Sequence, residues 1–142
     1  VQRGIDMPYV NLRILKNQVS ENQKKEIVEG LTDLISTIMG RDRNFTVITI
    51  DEVEENNWII SGLKLTPSEL KSRIVSFVNI KVSKGTTNPV EIEKMIKETK
   101  KLFIRVLGNY DITNYFIVDE LNPDLWGFDE ISMTERNKME TK

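Results

Sequence analysis

The chain has 142 residues, which is about the size of one ordinary domain. Its 20 Lys and Arg residues against 22 Asp and Glu residues give a net charge of −2, which argues against nucleic acid as a main partner. The absence of Cys and His excludes thiol nucleophiles, disulfides, Cys/His zinc sites and every His-based triad. Acid–base chemistry near neutral pH must therefore come from a shifted carboxylate, Lys or Tyr, or from an α-amino group.

Nothing in the sequence points to a membrane, a nucleotide or a metal ion. The longest apolar run, about four residues, cannot span a bilayer, and the N-terminus lacks the apolar stretch of a signal peptide. There is no P-loop and no GxGxxG motif, and the acidic groups lack the spacing of a calcium-binding loop. We therefore expect no cofactor, no metal and no membrane partner, and the lack of Cys fits a cytoplasmic protein.

The first half of the chain predicts a strand, a helix and a second strand. The pattern indicates a strand over Tyr9–Leu15. Ser20-x-x-Gln23 is a capping box, and the amphipathic helix that follows it ends near Gly40, where a C′ glycine is typical. A second strand, rich in β-branched residues, follows over Phe45–Ile50.

The same order of elements recurs at an offset of 68 residues, the separation of Gly40 from Gly108. A strand is predicted over Phe77–Val82, a helix that Asn88 caps, and a strand over Thr113–Val118. Between the two halves, a third capping pattern over Thr66–Glu69 predicts a short connecting helix.

Identical residues mark this repeat at strand starts, helix ends and strand ends. Apart from the two glycines and a lysine in each half, the matches are Val10-Asn11 with Val78-Asn79, Asp51-Glu52 with Asp119-Glu120, and Trp58 with Trp126. Each half is a βαβ unit with parallel strands and a right-handed crossover. The fold class is therefore α/β (α+β): two tandem βαβ units forming one four-stranded sheet with two helices on one face.

The predicted boundaries divide the chain into a leader and two units. Residues 1–7 form the leader, residues 8–75 the first unit with its connector, and residues 76–131 the second unit. Residues 132–142 form a polar tail that we expect to be disordered. We interpret Val1–Asp6 as an added segment and Met7 as the native start.

One face of the predicted sheet is left without a helix to cover it. Its outward residues are expected to include Tyr9, Asn11, Val47, Thr49, Tyr115 and Ile117. This mixture is too apolar to face water over a large area, so it predicts burial against other subunits. We expect a homo-oligomer.

Several of these motifs together resemble the 4-oxalocrotonate tautomerase family. They are the run Met7-Pro8-Tyr9-Val10-Asn11-Leu12-Arg13-Ile14-Leu15, the motif Ser20-x-x-Gln23-Lys24, Asp51-Glu52-Val53, and Asn57-Trp58-Ile59-Ile60-Ser61-Gly62. The resemblance covers residues 8–131 and is clearer in the first unit than in the second. With the repeat, it indicates a fused, two-unit member of the tautomerase superfamily.

The resemblance implies a homotrimer and a reaction that needs no cofactor. In this family the initiator Met is removed and the exposed prolyl nitrogen acts as a general base, which assigns Pro8 that role. The implied activity is isomerisation of a small 2-oxo or enol carboxylic acid, that is, a keto–enol tautomerase. Ser76 occupies the position of Pro8 in the second unit, so we expect no second catalytic site there.

The family's substrate-binding arginines are expected near Gln18 or Val19 and at Val47, and none of these is Arg. Lys84, in the loop after the second unit's first strand, is the candidate cation instead. The other candidates for contact with substrate are Arg13, Trp58, Tyr115 and Trp126. Each has a plainer interpretation, as solvated charge or as packing between subunits, and solvated charge is also favoured for Arg41 and Arg43.

Two other functions are compatible with the sequence. A dehalogenase, hydratase or decarboxylase of the same superfamily ranks second, because the paired cations it needs are not evident. A catalytically inactive ligand-binding or interaction relative is the other, and two βαβ units also suit a ferredoxin-like regulatory module.

Overall fold

The computed structural model describes residues 7–140. Residues 1–6 of the expected leader and residues 141–142 of the expected tail lie outside the described part. The elements in chain order are β1 (Tyr9–Leu15), α1 (Glu21–Met39), β2 (Val47–Val53), β3 (Ile59–Ile60), β4 (Leu63–Lys64), α2 (Pro67–Ser72), β5 (Ser76–Ser83), α3 (Pro89–Leu107), β6 (Tyr115–Leu121), β7 (Gly127–Phe128), β8 (Ile131–Ser132) and α4 (Met133–Glu140).

The main sheet has four strands in the order β2-β1-β5-β6. β1 is parallel to β2, and β5 is parallel to β6, so each unit is a βαβ unit as predicted. The two units meet where β1 and β5 pair antiparallel, with Asn11 opposite Asn79. This arrangement confirms the predicted fold class and places the two halves of the repeat about a pseudo-twofold axis through the centre of the sheet.

The core lies between this sheet and the two long helices. Alternate residues of β1 and β5 face α1 and α3, and Gly30 lets the helices approach, because a Cβ there would lie 2.4 Å from Leu102 Cδ1. Each fully buried apolar side chain of this core stabilises the fold by about 1.5–3 kcal/mol. The buried residues of this cluster are Val10, Leu12, Ile14, Ile27, Leu31, Ile35, Met39, Val78, Ile80, Val82, Met95, Leu102 and Phe103.

The predicted caps of the two long helices are present in the structure. The Ser20 hydroxyl accepts from the Gln23 amide at 3.1 Å, and the Gln23 side chain accepts from the Ser20 amide at 3.0 Å. Asn88 caps α3 through its side-chain oxygen. Gly40 and Gly108 follow the two helices with φ of 68° and 84°, a conformation that favours glycine.

Gln18 fixes the connector between the two units. Its side-chain nitrogen donates to the carbonyl oxygens of Leu70 and Arg73 at 2.9 and 2.8 Å, and its oxygen accepts from the Val75 amide at 3.1 Å. The resemblance places a substrate-binding arginine near Gln18. In this chain Gln18 instead holds the connector in place.

A partly buried ion pair fastens the end of the connector to the second unit. Arg73 Nε and Nη2 donate to the two carboxylate oxygens of Asp111 at 2.7 and 3.1 Å. The Arg73 guanidinium holds the pKa of Asp111 well below its usual value, at about 2. Glu69 also accepts from Arg73, at 3.0 Å.

The chain after residue 131 differs from the expected disordered tail. Met133–Glu140 is a helix whose first residue is buried. The β7-β8-α4 segment repeats the β3-β4-α2 segment at the same offset, with Met133-Thr134 matching Leu65-Thr66. The polar composition predicts disorder, but the buried Met133 packs this helix against the rest of the fold.

The helices of residues 7–140 include no candidate for a membrane span, because none combines the necessary length with the necessary hydrophobicity.

Replacing Gln18 with Ala should lower the free energy of unfolding by about 2 kcal/mol, because three partly buried backbone groups lose their hydrogen-bond partner. Urea denaturation at a fixed protein concentration measures this change. Asn22→Ala, an exposed change on α1, should stay within about 0.5 kcal/mol of the parent chain. Equal effects of the two changes would contradict the role given to Gln18.

Replacing Asp111 with Asn should cost about 1.5 kcal/mol at neutral pH. The unfolded carboxyl titrates near pH 3.9 and the folded one near 2, so its contribution is present above about pH 4 and is lost as the pH falls towards 2. Urea denaturation of parent and variant between pH 7 and 2.5 should show the difference shrinking with acidity. Asp33→Asn, which breaks an exposed pair with Arg43, should cost less than about 0.5 kcal/mol.

Candidate active site

Pro8 lies at the start of β1, in a small apolar pocket. The proline is buried, and its carbonyl oxygen accepts from the Val47 amide at 3.4 Å. The pocket has a volume of about 280 Å³ and is called the Pro8 pocket below. Its lining residues are Met7, Pro8, Tyr9, Phe45, Val47, Trp126, Gly127, Phe128 and Met133.

Trp126 reaches the Pro8 pocket from the hairpin of the second unit. Its indole Nε1 donates to the Ser83 hydroxyl at 3.1 Å, which fixes the ring. The Met133 amide donates to the Trp126 carbonyl at 2.9 Å. Gly127 is required next to it, since a Cβ there would lie 2.2 Å from the Ile131 carbonyl oxygen.

The last helix supports this hairpin. The Arg136 guanidinium lies 3.7 Å from the centre of the Phe128 ring and donates to the Phe128 carbonyl at 2.9 Å. α4 also supplies Met133, only 2% exposed, to the pocket. Phe45, Phe128 and Met133 line the pocket without having been predicted from the sequence. The repeat was the available signal, since Phe128 matches Ile60 and Met133 matches Leu65 at the offset of 68 residues.

No basic side chain lines the Pro8 pocket within residues 7–140. Lys84 follows β5 at this end of the sheet and is exposed, outside the pocket lining. Arg41, for which solvated charge is the sequence interpretation, is instead 3% exposed, and it donates to the Thr86 carbonyl and hydroxyl at 2.9 and 3.0 Å. Arg43 is exposed and pairs with Asp33, as that interpretation has it.

Three of the predicted substrate contacts lie in a second pocket, at the other end of β1. These are Arg13, Trp58 and Tyr115. This cleft has a volume of about 740 Å³ and is called the Ser76 pocket below. It is lined by Arg13, Val53, Asn57, Trp58, Ile59, Ile60, Ser76, Phe77, Ile112, Thr113, Asn114 and Tyr115.

The two pockets are counterparts of each other in the repeat. At the offset of 68, seven lining residues correspond: Pro8 with Ser76, Tyr9 with Phe77, Phe45 with Thr113, Val47 with Tyr115, Trp126 with Trp58, Gly127 with Ile59, and Phe128 with Ile60. Each pocket is formed by the N-terminal ends of the strands of one unit and by the hairpin of the other unit. Along β1, Pro8 and Arg13 are about 17 Å apart at ~3.3 Å per residue, so one chain does not bring them together.

The uncovered face of the sheet carries the residues predicted for it. Tyr9, Val47, Tyr115 and Ile117 are exposed there. Polar pairs occupy the middle of the face. Asn11 donates to Asp51 at 3.1 Å and Asn79 donates to Asp119 at 2.9 Å. The hydrogen bond from Asn79, and to a smaller extent the one from Lys81, holds the pKa of Asp119 below its usual value.

Within residues 7–140, no three Asp or Glu side chains are grouped as metal ligands.

Comparison with known proteins finds similarity to tautomerases. The family model for tautomerase enzymes matches residues 8–66, beginning at Pro8. A probable tautomerase K2 of Dickeya dadantii is 45% identical over 60 residues, which are 42% of this chain and 90% of that protein. A 2-hydroxymuconate tautomerase of Bacillus subtilis is 29% identical over 63 residues, 44% of this chain and all of that protein.

Solved structures resemble most of the chain in fold. The F6 fused 4-OT asymmetric trimer superposes with a TM-score of 0.76 at 15% identity, covering 89% of this chain and 97% of that one. The Q0 fused 4-OT symmetric trimer gives a TM-score of 0.75 at 13% identity, covering 89% and 96%. Identity at this level bears on the fold alone.

Proposed function

This chain belongs to the tautomerase family as a fused, two-unit member, and we propose that it is a cofactor-free isomerase in which Pro8 is the general base. One observation carries the proposal. Pro8 is buried at the strand start in an apolar pocket beside Trp126, and the family match begins at this same residue. In a chain without His or Cys, the base has to be a carboxylate, a Lys, a Tyr or an α-amino group.

The proposal requires a free prolyl nitrogen. In the chain as written, the nitrogen of Pro8 forms an amide with Met7, and an amide nitrogen is not basic. Cleavage after Met7 would leave a secondary amine. Apolar walls around that amine disfavour its protonated form, so more of it is ready to accept a proton near neutral pH.

The reaction would move one proton within the substrate. The Pro8 nitrogen takes a proton from the carbon next to a carbonyl, or from an enol hydroxyl, and returns it at the other position. The substrate class is a small 2-oxo or enol carboxylic acid with an apolar group that fits a pocket of about 280 Å³. Lys84, exposed at the same end of the sheet, is our candidate for the cation that attracts the carboxylate.

A hydrolytic member of the superfamily is the second candidate, and the pocket disfavours it. Dehalogenation or hydration would need paired cations for the substrate and an acid to activate water. Within the described residues, the Pro8 pocket is lined by uncharged side chains. An inactive relative that binds ligand without turnover is the outcome left if protein that begins at Pro8 shows no turnover.

We also propose that the chain works as a homotrimer. The uncovered sheet face exposes Val47, Tyr115 and Ile117 to 52%, 69% and 36%. Exposed apolar groups on a contiguous face favour burial against another subunit. Two solved structures of similar fold are described as trimers, which supports this stoichiometry.

The proposal for Pro8 is tested on protein whose first residue is verified as Pro8 by mass spectrometry. On phenylenolpyruvate, Pro8→Ala should lower kcat/KM by about 100-fold or more, the usual contribution of a general base. The same chain retaining Met7 should be impaired to a similar degree, because its prolyl nitrogen is an amide. Full activity in either protein would mean that another group is the base.

The trimer is tested by size-exclusion chromatography with light scattering. The measured mass should be about three times the 16.5 kDa of one chain. Ile117→Asp, which puts a charge on the uncovered face, should shift the protein towards monomer. Ile104→Asp, at a residue of α3 that is 43% exposed, should leave the mass unchanged. A stable monomer of the parent chain would refute the proposal.

A further inference from the structure

The Ser76 pocket keeps the shape of its counterpart but has different chemistry. Within residues 7–140, Arg13 is the one charged side chain that lines it. Seven of its lining residues are apolar or aromatic: Val53, Trp58, Ile59, Ile60, Phe77, Ile112 and Tyr115. Four are polar and uncharged: Asn57, Ser76, Thr113 and Asn114. A cleft with one positively charged side chain and several aromatic lining residues suits a monoanion that carries a ring.

Arg13 is placed to receive such an anion. Its guanidinium carbon lies 5.8 Å from the centre of the Phe77 ring, and that contact orients the side chain. Its Nε is 3.6 Å from Asp51, with the two side chains 55% and 58% exposed. An exposed pair of this kind contributes little free energy, so a ligand carboxylate can take bidentate hydrogen bonds from Arg13 in its place.

Within residues 7–140, this pocket holds no counterpart of the amine proposed as base at Pro8. Ser76 stands where Pro8 stands in the other unit, and its amide donates to the Asn114 side chain at 2.9 Å. Asn114 in turn donates to the Ile74 carbonyl at 3.0 Å. The Ser76 hydroxyl is buried and has no hydrogen-bond partner within residues 7–140, and no base lies beside it to activate it. The base proposed for the first unit therefore has no equivalent at Ser76, which favours binding over catalysis in this pocket.

We propose that the Ser76 pocket is a second, non-catalytic site that binds a small aromatic monocarboxylate through Arg13. The ligand's carboxylate pairs with the guanidinium, and its ring packs against Trp58 and Phe77. This site goes beyond the function proposed for Pro8 and does not depend on it, because the two pockets share no lining residue.

The test uses trans-cinnamate, an aromatic monocarboxylate that cannot tautomerise. The chain has two Trp residues, one in each pocket, so the indole N–H signals in a ¹⁵N-correlated NMR spectrum report the pockets separately once Trp58→Phe has assigned them. Titration should shift the Trp58 signal saturably, with a Kd below about 1 mM. The Pro8→Ala protein should give the same shift, which separates this proposal from the catalytic one.

Variants identify the cation. Arg13→Gln should weaken the binding reported by Trp58 at least tenfold, and Arg13→Lys should weaken it less. Lys16→Gln, which removes an exposed charge from the same end of β1 outside the pocket, should leave the Kd unchanged. A shift confined to Trp126, no saturable shift of Trp58, or an Arg13→Gln protein that binds as well as the parent would each overturn the proposal.

Discussion

The antiparallel pairing of β1 with β5 determines where every other feature of this chain lies. The two strands of each unit are parallel, so both begin at one end of the sheet and finish at the opposite end. Antiparallel pairing of the units then places the start of β1 beside the end of β5. The hairpin of the second unit therefore reaches Pro8, and the hairpin of the first unit reaches Ser76. Neither pocket exists within one unit.

Much of the fold could be predicted because its signals are local. The capping boxes, the glycines after α1 and α3, and the alternation along β1 each depend on neighbouring residues, and the offset of 68 residues relates the halves. Strand ends were less exact. β2 begins at Val47 and not at Phe45, because Asp42 caps a short turn over Arg43–Phe45 with its side chain on the Asn44 amide.

The candidate site could be predicted only in part, because it depends on contacts between distant residues. Pro8 and Trp126 meet in one pocket, but Arg13, Trp58 and Tyr115 lie in the other. The order of residues along the chain carries no information on which hairpin meets which strand. Arg41 is a similar case: a loop arginine is usually solvated, and only the folded chain shows that the loop containing Thr86 covers it.

The two hairpins show what it means to join both units in one chain. Gly127 has no space for a side chain, whereas its counterpart Ile59 carries one that is 53% exposed. In an assembly of identical single units, one residue would have to serve at both positions. Covalent linkage removes that symmetry constraint, so a substitution alters one pocket and leaves the other as it was. One polypeptide with two units therefore has two pockets whose residues can differ independently.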